Sequence, residues 1–210
     1  MSDRKNPVKY FLEQSWLLLV SAFLFGLMLA MADSAWSDRI KQNNEEKINS
    51  LRQKLIADAV KYEPAVEKAD IGIIQGRQVT VNIYRALDSA GRCAGYTFQI
   101  TGQGFAGKIE LVVAVDPRCE KILGYEVLSA SETPGFGDKI FGDYFRNQFA
   151  GAPVGKLTLI KAGDDKKIDD DIVAISGATV SSTAVVNAFN TYIEKIKESL
   201  QQKGLLQDVQ

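Results

Sequence analysis

The sequence predicts an α+β chain: an antiparallel sheet with flanking helices, preceded by one N-terminal transmembrane helix. Three observations lead there. Nineteen uncharged residues lie between Glu13 and Asp33. Between residues 79 and 129 the apolar pattern has period two and is cut by short turns, as adjacent antiparallel strands require. After residue 180 the period becomes helical, so strands occupy the middle and helices the ends, an α+β arrangement.

The uncharged run, "QSWLLLVSAFLFGLMLAMA", is long enough to cross the hydrocarbon of a bilayer as one helix, and Trp16 and Trp36 suit its two interfaces. A cleaved signal peptide is the rival. Arg4, Lys5 and Lys9 precede the run and "AMA" at 30–32 fits a cleavage site, but the run exceeds the usual apolar core of about 7–15 residues. Basic residues flank both ends, with Arg39, Lys41, Lys47 and Arg52 on the far side, and so do not set the orientation. Residues 37–61 place Ile48, Leu51, Leu55 and Ala59 at helical spacing among charges. They predict an amphipathic stalk helix ending near Pro64. The expected organisation is a short tail over 1–14, an anchor over 15–32, a stalk over 33–64 and one domain over 65–210.

Within that domain Val79, Val81 and Ile83 alternate with polar residues, "LDSAGR" turns the chain, and Tyr96, Phe98 and Ile100 alternate again; this is a hairpin pattern. "GQGFAG" interrupts, "KIELVVAVD" resumes strand, "PRCEK" turns, and "ILGYEVLS" makes a fourth strand. Ile140, Phe141, Tyr144 and Phe145 predict a short helix and "KLTLI" a further strand. Val185, Phe189, Tyr192, Ile193, Ile196 and Leu200 form one face of a final helix.

Composition removes several classes of chemistry. The chain has no histidine, which excludes Ser-His-Asp and Cys-His machinery, His-bound zinc and His-ligated haem. Cys93 and Cys119 stand 26 residues apart with no C-x-x-C, so this chain alone holds no iron–sulfur cluster. They form one disulfide or remain two buried thiols. A net charge of −1 without a basic run argues against nucleic acid as a partner.

Two stretches stand out. "AISGATVSSTAVVNAF", 174–189, crowds Ser176, Thr179, Ser181 and Ser182 around Gly177 and Ala178 just where a helix begins. Ser181 or Ser182 is the expected N-cap, and the free amides beyond it would make an anion site. Plain helix capping explains the same hydroxyls. The other stretch, "SASETPGFGDKI" at 129–140, follows a strand and displays Glu132 and Thr133 beside a tight turn through Pro134, Gly135 and Gly137. With Phe136 at its tip it is either a ligand wall or a surface loop leading into a helix.

Together, "ETPGFGDKI" and "SGATVSS", about forty residues apart, resemble the FMN-binding domain of the G subunit of Rnf electron-transport complexes. The C subunit of the sodium-pumping NADH:quinone oxidoreductase is similar. "GQGFAGKIELVVAVD" is similar to the strand segment preceding the ETPG loop there, so the resemblance covers about residues 80–190. It implies that Thr179 carries FMN as a phosphoester made by a flavin transferase. Ser176, Gly177, Ala178 and Ser182 would shape the phosphate turn, with Glu132, Thr133, Pro134 and Gly135 near the flavin. One position departs from the family pattern: Val173 stands where many members have an acidic residue.

The implied function is electron relay in an Rnf-type ferredoxin:NAD oxidoreductase that translocates ions, with no independent catalytic site and no metal. The implied location is the cell inner membrane, single-pass, flavin domain outside the cytoplasm, with the other complex subunits as partners. The alternatives are a C-type subunit of the quinone reductase, a stand-alone extracytoplasmic flavin carrier, and a non-redox anchored domain.

Overall fold

The computed structural model describes residues 7–74 and 76–206; residues 1–6 of the expected tail, with Arg4 and Lys5, lie outside the described residues. The chain divides after Glu46 into two units. Helix α1, Pro7–Leu55, makes up the described length of the first and opens the second. Its apolar stretch is long enough to cross a membrane. Leu18 and Phe23 are each 71% exposed, a surface suited to lipid rather than water. The Ser21 hydroxyl donates to the Leu18 carbonyl at 3.0 Å, so the helix satisfies its own polar group in that stretch.

The second unit holds strands β1 (Lys61–Ile74), β2 (Arg77–Leu87), β3 (Cys93–Gln103), β4 (Lys108–Val115) and β5 (Ile122–Ala130). They pair in sequence order as one antiparallel sheet. After them come a 3₁₀ turn (Gly137–Phe141), α2 (Asp143–Arg146), β6 (Thr158–Ile160), β7 (Asp171–Val173) and α3 (Thr179–Gln202). The short helix expected around Ile140–Phe145 is thus split between the 3₁₀ turn and α2.

One face of the sheet packs on α3. Ile83, Phe98, Ile100, Ile109, Leu111 and Val113 bury against Val185, Phe189, Ile193 and Ile196. β4, an interior strand between β3 and β5, is buried on both faces, with Val112 and Ala114 fully covered. The second face carries a smaller cluster in which Ile56 and Ala59 meet Ala86 and Ala114. The Arg52 guanidinium lies 3.9 Å from the centre of the Tyr84 ring, where burial lowers its pKa.

The stalk boundary is corrected. Helix α1 stops at Leu55, and Ile56 and Ala59 turn inward onto the sheet instead of continuing the helical face. Val60 donates to Leu87 and β1 begins. Pro64 therefore does not end a helix. It sits in an edge strand beside a register shift, where the missing N–H costs no ladder bond. β1 was not expected from sequence, because its bulges break the period-two pattern. β6 lies inside the expected "KLTLI" strand, but it pairs in parallel with β7 rather than joining the sheet.

Behind the 3₁₀ turn Tyr125 stacks edge-on to Phe149 and Phe189, and Phe145 to Phe149. The Tyr125 hydroxyl donates to the Ile140 carbonyl at 3.0 Å, fastening the turn to the sheet.

Burial pushes the Cys119 thiol from its ordinary 9.0 to about 12, and raises Tyr96 and Tyr125 as well. Acids with raised folded pKa values keep their protons longer in the folded state than in the unfolded chain. The stability they contribute is present below the unfolded pKa and is lost as pH rises toward the folded one. Stability should therefore fall above pH 9. Cys119→Ala should flatten that slope by about 1.4 kcal/mol per pH unit, measured by denaturant unfolding at stepped pH; an unchanged slope would contradict the assignment.

Candidate functional site

The hydroxyl-rich segment is delivered by the parallel β6–β7 ribbon. At β7 the Val173 amide donates to Gln148 Oε1 at 2.7 Å, and Gln148 Nε2 donates back to the Val173 carbonyl at 3.3 Å. A buried glutamine thereby serves as the strand's second neighbour. The Ala174 amide then donates to Ile160 at 2.8 Å, and the chain turns through Ser176 and Gly177. Gly177 has φ +80°, a conformation glycine adopts without strain.

Helix α3 starts earlier than the sequence suggested. Its N-cap is Ala178, with no side-chain cap, so neither Ser181 nor Ser182 caps it. Ser182 lies one turn in and fully buried. Its hydroxyl donates to the Ala178 carbonyl and accepts the Ile175 amide, both at 3.0 Å, and so ties the turn from inside. The amides of Thr179, Val180 and Ser181 open the helix and have no carbonyl four residues back within it. Thr179 is exposed, and among the described residues nothing engages its hydroxyl, whereas the hydroxyls of Ser181, Ser182 and Thr183 are each bonded.

Around this helix start lies a cavity of about 470 Å³, walled by Phe105 from the β3–β4 loop, by Glu132, Thr133, Phe136 and Gly137 from the loop after β5, and by Gly177 to Ser181. Phe105 is 72% and Phe136 56% exposed. The loop after β5 folds on itself, since the Phe136 and Gly137 amides both donate to the Thr133 carbonyl, at 3.2 and 3.1 Å. The Glu132 carboxylate joins all three walls. It accepts the Ser181 hydroxyl at 2.5 Å and the Ala106 amide at 3.3 Å. A Cβ on Gly104 or Gly137 would collide with it.

Of the residues singled out from sequence, Glu132, Thr133, Gly177, Ala178 and Thr179 line the cavity. Ser176, Pro134 and Gly135 are exposed beside it and do not line it. Gly135 has φ +79° with open space where a Cβ would stand, so conformation rather than close approach requires glycine there. Ser182 faces the interior, where its hydroxyl ties the turn, and it does not line the cavity. Val173 is nearly buried and meets the 161–163 turn. Phe105, Val180 and Ser181 were not assigned to the site from sequence. An exposed aromatic inside "GQGFAG" was the one available signal.

The residues fit a flavin nucleotide. The volume is that of a small-ligand site, aromatic rings flank it, and helix-start amides offer donors to a phosphate. A family model for the FMN-binding domain matches residues 104–194. The chain is 30% identical to the G subunit of the ion-translocating oxidoreductase complex of Methanosarcina acetivorans, over 93% of this chain and 97% of that one. It is 28% identical to the G subunit of the proton-translocating ferredoxin:NAD(+) oxidoreductase complex of Clostridium ljungdahlii, over 85% and 88%. Among solved structures, NqrC of Shewanella oneidensis superposes with a TM-score of 0.56 at 25% identity, covering 70% of this chain and 72% of that one.

The two hydroxyls flanking the turn should behave differently. Ser182→Ala leaves the buried Ile175 amide without its acceptor and should destabilise the domain by about 1–3 kcal/mol. Ser176→Ala, on an exposed turn, should stay within about 0.5 kcal/mol. Urea unfolding of both variants checks this, and equal effects would refute the inward role of Ser182.

Proposed function

We propose, since the chain belongs to the family of G subunits of ion-translocating oxidoreductase complexes, that it carries FMN on Thr179 and relays electrons within such a complex. The observation that carries this reading is the free Thr179 hydroxyl at the lip of the cavity, with the hydroxyls of Ser181 and Ser182 already bonded. A phosphoester through Thr179 Oγ would fix the nucleotide at the helix start. A flavin transferase would make it from a flavin pyrophosphate donor, the Thr179 O–P bond replacing the anhydride P–O bond, with the donor's other phosphate half and the hydroxyl proton leaving. The amides of Thr179, Val180 and Ser181 with the helix dipole would stabilise its charge. Phe105 and Phe136 would bound the ring, and the Gly177 turn admits close backbone approach.

The flavin supplies the redox chemistry when bound, and the chain supplies attachment, orientation and exclusion of water. That division suits a chain with no histidine and, among the described residues, no candidate metal cluster. The relatives named as G subunits support an Rnf-type complex, ferredoxin:NAD oxidoreductase in the Clostridium ljungdahlii case, whose other subunits would be the partners. The likeness to NqrC supports the shared flavin fold; the quinone-reductase alternative is secondary.

For the organisation we propose residues 1–14 as cytoplasmic tail, 15–32 as retained anchor, and the remainder outside the cytoplasm. N-terminal sequencing of membrane-extracted protein should find the anchor uncleaved, and a mature start at Asp33 would refute this. Thr179→Ala, co-expressed with the transferase, should abolish flavin fluorescence in the denatured band, because no oxygen remains to form the ester. Thr179→Ser should retain part of it, as should Ser176→Ala. Fluorescence persisting in denatured Thr179→Ala would overturn the assignment.

A further inference from the structure

The three walls of the cavity come from distant parts of the chain: the β3–β4 loop, the loop after β5, and the first turn of α3. The Glu132 carboxylate is where they meet. One oxygen accepts the Ser181 hydroxyl at 2.5 Å and the other the Ala106 amide at 3.3 Å. The short Ser181 bond to the carboxylate is of the stronger kind, and the Ala106 contact is a longer, weaker one. The space it fills is reserved. A Cβ on Gly104 would fall on Oε1, and one on Gly137 would fall on Oε2 and within 2.7 Å of Ser181 Oγ. Glycine at both positions is thus a steric requirement of the carboxylate's seat. Ser181 is 2% exposed and helical, so its hydroxyl cannot swing far from Glu132. It stands two residues from Thr179, in the same first turn.

We infer that Ser181 is a positioning residue which, through Glu132, clasps the Phe105 and Phe136 walls to the start of α3 and holds the cavity formed before any ligand enters. This rests on the reading of the cavity as the flavin site. The clasp itself is a property of the unloaded protein. Pre-forming the cavity matters because walls ordered in advance need not be ordered at the expense of binding. Phe136 has no comparable long-range tie: it is exposed, and the loop's backbone bonds are local, from Phe136, Gly137 and Asp138 to Thr133 and from Lys139 to Phe136. The same bond occupies the one other hydroxyl that lines the cavity on α3, leaving Thr179 as the free one.

The test uses the full-length protein in detergent, first without transferase or flavin. Amide hydrogen exchange would be followed by mass spectrometry over 102–108, 131–139 and 185–200. Losing one charged hydrogen bond should speed local opening about tenfold or more. Ser181→Ala should therefore accelerate exchange in both loops while 185–200 stays unchanged, which also reports that the domain is folded. Glu132→Ala should do the same, and the double variant should go no further than the faster single one. Ser181→Thr, which keeps the hydroxyl, should restore slow exchange. Should Glu132→Ala fail to fold, Gly137→Ala displaces the same carboxylate and takes its place in the series.

With transferase then supplied, Ser181→Ala should lower the early flavin-labelled fraction roughly threefold, as expected for a misplaced acceptor, and Ser181→Thr should recover it. Unchanged loop exchange in Ser181→Ala, additive effects in the double variant, or full labelling despite loosened loops would each overturn the inference. A wild-type chain that takes no flavin would refute the proposed function instead, while the exchange results still decide the clasp.

Discussion

One buried hydroxyl fixes where α3 begins, and much of the molecule follows from that. Ser182 Oγ donates to Ala178 and accepts from Ile175, closing a turn that would otherwise leave a buried amide without a partner. Such an orphan costs about 1–3 kcal/mol, comparable to a large part of a domain's net stability. With the start set at Thr179, the i, i+3, i+4 pattern places Val185, Phe189, Ile193 and Ile196 on the sheet. The same register turns Ser181 toward Glu132 and leaves Thr179 facing out. Moving the start by one residue would rotate the helix by about 100° and undo the core and the cavity together.

The sheet holds the other side of that arrangement. α3 crosses β3 so closely that a Cβ on Gly102 would stand 2.6 Å from the Ala184 carbonyl. Backbone contact at that point brings the loop carrying Gly104, Phe105 and Ala106 up to the first turn of the helix. On the far side, the Tyr125 hydroxyl and the ring cluster of Phe145, Phe149 and Phe189 hold the 3₁₀ turn. The ETPG loop therefore leaves one anchored strand and enters one anchored turn. Only its tip, with Phe136, depends on the Glu132 contact.

How much of this could be read in advance differs by element, for physical reasons. β2 to β5 were legible because a half-buried strand alternates, and the α3 face because a packed helix repeats every three to four residues. β1 was not. It is an edge strand with Pro64 and three register shifts, so its side chains do not keep a two-residue period. β7 is three residues long, too short for any period. In the site, residue types were legible and directions were not. The sequence shows Ser176, Thr179, Ser181 and Ser182 as equals; Ser176 lies before the helix, and within it only the helix phase separates the free Thr179 hydroxyl from the bonded ones of Ser181 and Ser182. The Glu132–Ser181 contact spans 49 residues, and no local pattern announces it.

The electrostatics of the cavity bear on why attachment would be covalent. Among the described residues neither lysine nor arginine lines it, and Lys139 approaches only the Phe136 ring, with Nζ 6.0 Å from the ring centre. A phosphate there would rely on helix-start amides, a contribution of about 0.3–1 kcal/mol per charge at an exposed terminus. It would also share that terminus with the carboxylate of Glu132. Such a site retains a free nucleotide weakly. An ester to Thr179 would make retention intramolecular, replacing affinity by a high local concentration. The cavity walls would then be free to act on the ring alone. The lack of a cationic clamp and the presence of an unengaged threonine would then be two aspects of one design, in which the bond would hold the cofactor and Phe105, Phe136 and Glu132 would set its surroundings.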